Sequence, residues 1–358
     1  MVFVGVLQRG AFETKKRTKL ISLKEASKQR NLILQKGRDF LKAMDKKSIY
    51  ILKKLYEEDF VSGENLAKEL EISRMAVNKR IKSLQEMGFA IASYKKKGYQ
   101  LVDKDIIRVW EIEDFISKSE LFKDFLYFPQ IDSTNNYVKE NQENLKSATV
   151  VYAERQNAGR GRLGRSWTDL EKGVKMSIFL RLEVIDIEKV VPLTLFTGLI
   201  VNRILRKYKV QSFIKWSNDI LLNGKKVCGI LTELSGEIEG AGNVIIGIGL
   251  NVNAASLPDE LLEIATTLKK EIGMDFDRTK IIIEILKEFE NELENFKKYG
   301  FSHFRDEYKS YCINLGREII INGEKKAFCK DIGQNGELIC VQDGREIKIQ
   351  TGEVTIRW

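Results

Sequence analysis

Three glycines and three arginines interleave through Gly159-Arg160-Gly161-Arg162-Leu163-Gly164-Arg165-Ser166-Trp167, directly after a strand-like run at Ala148–Glu154 and the polar step Gln156-Asn157-Ala158. The glycines let the backbone come close to a ligand. Guanidinium groups this close repel one another unless an anion offsets them, and each is a fork-shaped donor for phosphate or carboxylate oxygens. RNA-binding Arg-Gly segments are longer, repetitive and outside folded domains. A loop after a strand, closing over a phosphorylated ligand, fits this pattern better.

The frame around that loop alternates strand and helix signals. Strand-like runs are Ala148–Glu154, Val174–Leu182, Phe213–Trp216, Val227–Leu234 and Val244–Asn251, with helices predicted over about Val190–Tyr208 and Arg278–Tyr308. From residue 312 the chain changes to short strands punctuated by Asn322-Gly323, Asn335-Gly336 and Asp343-Gly344, which are hairpin signals. A small antiparallel barrel or sandwich is expected there. We therefore divide the 358 residues into a basic extension (1–47), a small helical module (48–102), a mixed α/β body (103–310) and a β domain (311–358).

Charge separates the first two regions from the rest. Residues 1–100 carry 23 Lys+Arg against 11 Asp+Glu, whereas the whole chain has a net charge of only +9. The positive excess is thus N-terminal, the footprint of a polyanion-binding module on a near-neutral body. Within 48–102, Ser62 and Ser73 are placed to cap two successive helices, and Val77, Ile81 and Leu84 form the inward stripe of the second. Gly88 ends it as a C′ residue would. The segment Phe89–Val102 then reads as two short strands around Lys95-Lys96-Lys97, and the whole as a winged helix-turn-helix. Arg74, Asn78 and Lys82 turn away from the core stripe, with Ser73 and Lys79 beside them. Arg and Asn suit base edges, Lys suits phosphates. Glu71 occupies the tight turn where glycine is the easier residue.

Four further motifs carry chemistry. Lys215-Trp216-Ser217-Asn218-Asp219 ends a strand with an amide and a carboxylate that suits magnesium. Asn223-Gly224 turns a hairpin that puts Lys226 near its mouth and Gly229 further in. In Val244–Asn253, Gly247 and Gly249 share one strand face, flooring an apolar slot with Asn251 at its polar end; the spacing is not a dinucleotide fingerprint. Asp132-Ser133-Thr134-Asn135 caps a helix through Asn136–Glu140 and offers hydroxyls to a small polar head group.

Several function classes drop out. Cys228, Cys312, Cys329 and Cys340 form no C-x-x-C pair and His303 is the only histidine, so a zinc module has no ligand set. A Ser-His-Asp or Cys-His catalyst would rest on His303, which has no motif around it. Sparse, unpaired cysteines fit a reducing cytoplasm. No apolar run reaches the ~18 residues of a membrane span, and the apolar opening Val2–Leu7 lacks the basic flank and cleavage site of a secretory signal.

Taken in order, Asp-Ser-Thr-Asn, Gly-Arg-Gly-Arg-x-Gly-Arg-x-Trp, Lys-Trp-x-Asn-Asp, Lys-x-x-Gly-Ile-Leu and Gly-x-Gly-x-Asn-x-Asn resemble the biotin–protein ligases. With the winged helix in front, the chain resembles the bifunctional form, both ligase and biotin operon repressor, over about residues 48–358. The resemblance implies a multidomain α+β fold: winged helix, a central mixed α/β domain related to class II aminoacyl-tRNA synthetases and lipoate ligases, and a C-terminal SH3-like β-barrel that includes Gly352-Glu353-Val354. It places Ser133, Thr134, Asn135 and Gln156 at the biotin ureido head, Gly229, Gly247 and Gly249 along the ring and tail, and Gly159, Arg160, Gly161 and Arg162 in the closing loop. Arg160, Arg162, Arg165, Trp167, Asn218 and Asn251 become nucleotide contacts, Asp219 a magnesium-linked carboxylate, and Lys226 with Arg162 the catalytic pair. Ser217 departs from the family, which usually has proline there, and leaves the placement of Asn218 and Asp219 less rigid.

The implied reaction needs no nucleophile from the protein. Biotin carboxylate attacks the α-phosphate of ATP, giving biotinyl-5′-AMP and pyrophosphate, and a lysine of biotin carboxyl carrier protein then takes the acyl group. Positioning and electrostatics carry such chemistry. Persisting adenylate would act as corepressor, with a homodimer presenting two winged helices to an operator. Three rival readings differ in class: a lipoate ligase of the same fold, a ligase without repressor activity, and a sensor-repressor without ligase activity.

Overall fold

The computed structural model describes residues 45–181, 189–235, 242–350 and 354–356. The basic extension expected over 1–47 lies almost wholly outside the described residues, as do Gly352 and Glu353.

The described chain begins with three helices, α1 (Lys46–Glu57), α2 (Gly63–Glu69) and α3 (Arg74–Glu86), followed by a hairpin of β1 (Ile91–Tyr94) and β2 (Gly98–Leu101). The Ser62 hydroxyl accepts the Glu64 N–H and the Ser73 hydroxyl accepts the Ala76 N–H, so both helix starts are set by their predicted caps. Val77, Ile81 and Leu84 are buried with Ile51, Leu52, Leu55 and Leu66. Glu71 adopts φ 52° in the turn between α2 and α3, and Gly88 follows α3 at φ 94°. Val61 exchanges two backbone hydrogen bonds with Tyr99, both 2.9 Å, which ties the wing to the segment before α2.

The body is a seven-stranded mixed sheet in the order β3-β4-β5-β9-β8-β7-β6. Its strands are β3 (Asp124–Ile131), β4 (Thr149–Gln156), β5 (Val174–Arg181), β6 (Phe213–Lys215), β7 (Asp219–Leu222), β8 (Lys225–Ser235) and β9 (Asn243–Leu250). Only β3 and β4 run parallel; the other pairs are antiparallel. Helix α4 (Val109–Lys118) precedes β3, and α5 (Thr134–Asn141) follows it. The 18-residue α6 (Val190–Lys207) is apolar almost all round and packs on β8 and on α8 (Arg278–Tyr299). Phe196 of α6 is the hub of that layer, 4.5 Å from the Phe296 ring, 5.4 Å from Phe289 and 5.1 Å from Phe304. Strand β8 splits its faces by period two: Ile230 and Thr232 meet α6, while Gly229, Leu231 and Glu233 face the other way.

Two sequence expectations need correction. Helix α8 stops at Tyr299 instead of running to Tyr308: Gly300 takes φ 68°, the chain makes a short 3₁₀ turn at Phe301–His303, and α9 (Arg305–Tyr311) starts afresh. Apolar spacing continues across the break, so periodicity alone conceals it. The helix expected from Asn136 begins at Thr134, with Ser133 as N-cap, which puts Thr134 and Asn135 on the helix itself. A short α7 (Leu268–Ile272) lies between β9 and α8.

After α9 come five antiparallel strands, β10 (Glu318–Ile321), β11 (Lys325–Ile332), β12 (Leu338–Gln342), β13 (Arg345–Ile349) and β14 (Val354–Ile356), ordered β13-β12-β11-β10-β14. Asn322-Gly323 and Asp343-Gly344 both have positive φ, as type I′ turns require.

Candidate functional site

The glycine-bearing face of the sheet carries a narrow slot of about 50 Å³. Ser133, the N-cap of α5, Thr134 and Asn135 from its first turn and Gln156 from β4 line one end, and Arg160, Gly161, Arg162 and Trp167 cover it. Asn218, Lys226, Gly229, Gly247 and Gly249 complete the walls. Gly159 does not line the slot: a Cβ there would stand 2.6 Å from the Trp167 carbonyl oxygen, so its bareness lets the two ends of the loop meet. The Trp167 N–H donates to the Gly159 carbonyl at 2.9 Å and the Gly161 N–H to the Arg165 carbonyl at 2.8 Å, which closes the loop on itself.

The paired glycines of β9 make room for the protein's own side chains. A Cβ on Gly247 would lie 2.4 Å from Asn135 Oδ1, and one on Gly249 would lie 2.7 Å from the Trp167 ring. Register explains the choice: Gly247 lies opposite Ser177 and Leu231, and Gly249 opposite Lys175 and Gly229.

At the polar end the donors and acceptors form one chain. The Thr134 N–H donates to Gln156 Oε1 at 2.8 Å, and Ser177 Oγ lies 2.7 Å from Thr134 Oγ1 and 2.6 Å from Asn135 Oδ1. Asn135 Nδ2 donates to Glu233 at 2.8 Å, and Arg160 pairs with the same carboxylate at 3.3 Å.

The cationic end is built differently. Arg162 Nη1 donates to Ser217 Oγ at 2.6 Å and to Asn218 Oδ1 at 3.0 Å. Asn218 Nδ2 donates to Asp219 Oδ1 at 2.9 Å, and Lys226 Nζ lies 2.7 Å from that oxygen. Two cations from segments 64 positions apart are thus joined through one Asn-Asp pair, with Lys226 also 5.5 Å from the Trp167 ring. The Lys226 backbone is pinned by the 264–266 segment, donating to the Ile264 carbonyl and accepting from the Thr266 N–H.

Beyond Lys226 and Trp167 opens a larger cavity of about 470 Å³. Arg165, Asp219 and Asn251 line it, so of the six expected nucleotide residues Arg165, Trp167 and Asn251 face this space, while Arg160, Arg162 and Asn218 face the slot. The Asn251 amide nitrogen donates to the Thr266 carbonyl at 3.1 Å, which aims its oxygen the other way. Sequence reasoning missed Lys215, Leu261, Glu263, Ile264, and Thr355 and Ile356 of β14, which share this wall.

It also missed Ser177, Lys175 and Glu233. Period-two counting from the glycines finds all three, since Lys175 and Ser177 face Gly249 and Gly247 across the pairing and Glu233 follows Gly229 and Leu231. Lys175 is almost wholly buried beside Asp169 at 2.9 Å, and burial pulls its ammonium below the ordinary lysine value. Burial pushes the Cys228 thiol up, so no activated thiol serves the slot. His303 stacks on Tyr299 at 5.4 Å and meets Phe304 edge-to-face at 4.8 Å, away from both cavities.

A second surface is basic and solvent-facing. Ser73, Arg74, Asn78, Lys79 and Lys82 of α3 and its cap are exposed, and so are Lys95, Lys96 and Lys97 on the wing, with Lys97 5.0 Å from the Phe60 ring.

Both features have counterparts in known proteins. Residues 127–251 match the Biotin/lipoate A/B protein ligase family, and residues 47–100 match an HTH domain. A bifunctional ligase/repressor BirA from Bacillus spizizenii is 35% identical over 308 residues, covering 83% of this chain and 94% of its own length. The chain belongs to the bifunctional ligase/repressor BirA family. The BirA of Escherichia coli is 30% identical over 304 residues, with 84% and 94% covered. Among solved structures, the biotin protein ligase of Aquifex aeolicus in complex with biotin and ATP superposes with TM-score 0.59 at 33% identity, covering 66% of this chain and 99% of that one. The BirA-type helix-turn-helix and the mixed-sheet ligase body thus occur here in one chain, and no helix among the described residues is long and apolar enough to cross a membrane.

Proposed function

We propose that this chain is an ATP-dependent biotin–protein ligase that forms biotinyl-5′-AMP, passes biotin to a lysine of biotin carboxyl carrier protein, and represses biotin-related genes with the adenylate as corepressor. The observation that carries the reading is the Arg162–Asn218–Asp219–Lys226 chain at the border between slot and larger cavity. We assign the biotin ureido head to the Thr134, Asn135 and Gln156 end of the slot and its carboxylate to the side of Lys226; at about 50 Å³, with the Trp167 ring over Gly249, the slot must widen to admit it. ATP fits the larger cavity with its base toward Asn251 and Trp167.

In this arrangement a carboxylate oxygen of biotin attacks the α-phosphorus and pyrophosphate leaves. Lys226 draws the two anions together, and Arg162 stabilises the charge that builds on the pentavalent phosphorus. The closed loop of Gly159–Trp167 shields the mixed anhydride from water. The ε-amine of the carrier lysine then attacks the acyl carbon and AMP leaves. Magnesium supplies charge neutralisation on the phosphates when bound. Asp219, which lines the larger cavity beside Lys226, would take part, and since the described residues hold no group of three Asp, Glu, His or Cys side chains that could bind a metal ion, the ion would arrive with the nucleotide.

We assign DNA contact to the exposed α3 and wing, Arg74 and Asn78 to base edges and the lysines to phosphates. A homodimer of the adenylate-bound form would present two such helices to an operator. The domain limits 48–102, 103–310 and 311–358, an SH3-like topology for the β10–β14 sheet and a cytoplasmic location belong to the same reading. Incubation with biotin, ATP, Mg²⁺ and a carrier domain, followed by mass spectrometry of the carrier, tests it. A gain of one biotinyl group per carrier is the expected result. No transfer, alongside biotin-dependent DNA binding, overturns the enzyme and leaves a sensor-repressor.

A further inference from the structure

Glu233 lies behind the slot, at the end of the face that carries Gly229 and Leu231, and each of its carboxylate oxygens has a different task. Oε2 accepts from Asn135 Nδ2 at 2.8 Å; Oε1 pairs with Arg160 at 3.3 Å. The first contact has a logical consequence. A carboxylate accepts and cannot donate, so the Asn135 amide must turn its nitrogen to Glu233 and its oxygen to Ser177. That oxygen, seated over the bare Cα of Gly247, then takes the Ser177 hydroxyl proton at 2.6 Å. The Ser177 hydroxyl also lies 2.7 Å from Thr134 Oγ1, and the Thr134 hydroxyl and N–H both donate to Gln156 Oε1, at 3.2 and 2.8 Å, which leaves the Gln156 amide nitrogen as the donor that remains available there. One carboxylate therefore fixes which way the Asn135 amide faces and, through it, an acceptor for the Ser177 hydroxyl.

The second contact reaches the covering loop. Arg160 is the first arginine of Gly159–Trp167, and its guanidinium is held between Glu233 and the Asn136 side-chain oxygen at 3.0 Å. We propose that Glu233 is a positioning residue that couples the two: it orders the donors and acceptors that read a cyclic urea, and it latches the loop that seals the intermediate. The proposal rests on the biotin reading of the slot given above.

The test uses the full chain and the variants Glu233→Gln, Glu233→Asp and Glu233→Gln combined with Asn135→Asp. In Glu233→Gln the new amide no longer dictates which way Asn135 faces, and Arg160 loses a charged partner. The biotin KM should rise about tenfold, the loss of roughly one charge-assisted hydrogen bond. The rate at saturating biotin should stay within about twofold of wild type, because no reacting group is touched. AMP released without acceptor should increase several-fold as the loop opens. In the double variant the amide introduced at position 233 donates to the carboxylate introduced at position 135, which again accepts from Ser177. Biotin affinity should therefore recover while AMP leakage does not. Glu233→Asp keeps the charge and should retain part of both properties, which keeps the question open to measurement should Glu233→Gln fail to fold. Wild-type KM and wild-type AMP release in folded Glu233→Gln overturn the proposal. A wild-type chain that binds no biotin at all removes the slot assignment, and the proposal with it.

Discussion

The molecule presents arginine and lysine in two opposite ways. On α3 and the wing, Arg74, Lys79, Lys82 and Lys95–Lys97 project into solvent. At the ligand site, Arg160, Arg162 and Lys226 are each held by an acid or amide of the same fold. An exposed cation suits a polyanion met along a surface, where counterion release supplies affinity and approximate placement suffices. A cation already fixed by a carboxylate suits one phosphorus atom, because it has no rearrangement left to make as charge develops. On the proposed function, the same residue types serve recognition in one region and preorganisation in the other.

Residues 103–108 run between the two regions, and the largest effect is expected there. Arg278 is almost wholly buried, donating to Asp105 at 2.7 Å and to Glu154 at 2.6 Å. Arg108 bonds Asp277 at 2.8 Å and the Tyr56 hydroxyl of α1 at 3.2 Å. Arg278→Ala leaves two carboxylates without their buried partner and should cost about 3–5 kcal/mol, read as a lowered Tm. Unchanged Tm would mean that Arg278 does not hold the 103–108 segment to the body.

Next in size is Lys226→Ala. Loss of a positioned cation should lower carrier biotinylation by about 10²–10³, measured by mass spectrometry, and Arg162→Ala should fall in the same range. Salt-dependent DNA binding by the apo protein should survive both. If it does not, the division between the two kinds of basic site fails.

Gly249→Ala follows. The new methyl would meet the Trp167 ring at 2.7 Å, so the loop must lift, at about 1–3 kcal/mol in biotin affinity. Titration calorimetry checks the affinity and tryptophan fluorescence the loop. On the other surface, Arg74→Ala should cost about 1–3 kcal/mol and relax preference at one base position, whereas Lys82→Ala should reduce the salt slope by about one without changing sequence preference. Filter binding across a salt series separates them, with ligase activity unaltered in both.

The smallest effect concerns acid. Burial raises the carboxyls of Asp331 and Asp103, but Lys309 and Arg305 around the first and Lys172 beside the second outweigh it and hold both below the usual carboxylate range. Each group then contributes stability that is full above its unfolded value of about 4 and is lost as pH falls through the lower folded value. Denaturant melts should show the midpoint declining below about pH 4. Lys309→Met should reduce that decline.

The winged helix was legible almost residue by residue because its signals are local. Ser62 and Ser73 as caps, Gly88 at positive φ and the stripe Val77–Ile81–Leu84 act within one or two turns of chain. In the body, β3 and β7 went unread. Pro129 interrupts one, and the other spans four residues that read as the end of a turn. Helix α4 also escaped, since Arg108 gives it no side-chain cap. The loop Gly159–Trp167 and the β9 glycines were visible because each departs from what an ordinary strand or turn would carry, whereas Lys226 sits in an ordinary basic hairpin and was singled out by the order of motifs around it.

Sequence by itself therefore determined the chemistry available: which segments carry cations, which strand is bare, where the turns fall. Tertiary structure alone decided which groups meet. That Asn135 occupies the space over Gly247, that Asn218 and Asp219 link Arg162 to Lys226, and that Glu233 reaches both Asn135 and Arg160 depend on strand register and, apart from the Asp219–Lys226 pair across one hairpin, on contacts between residues 56 to 112 positions apart. Local propensity acts over a few residues, whereas a site assembled across a sheet is fixed only when the strands pair and their side chains pack.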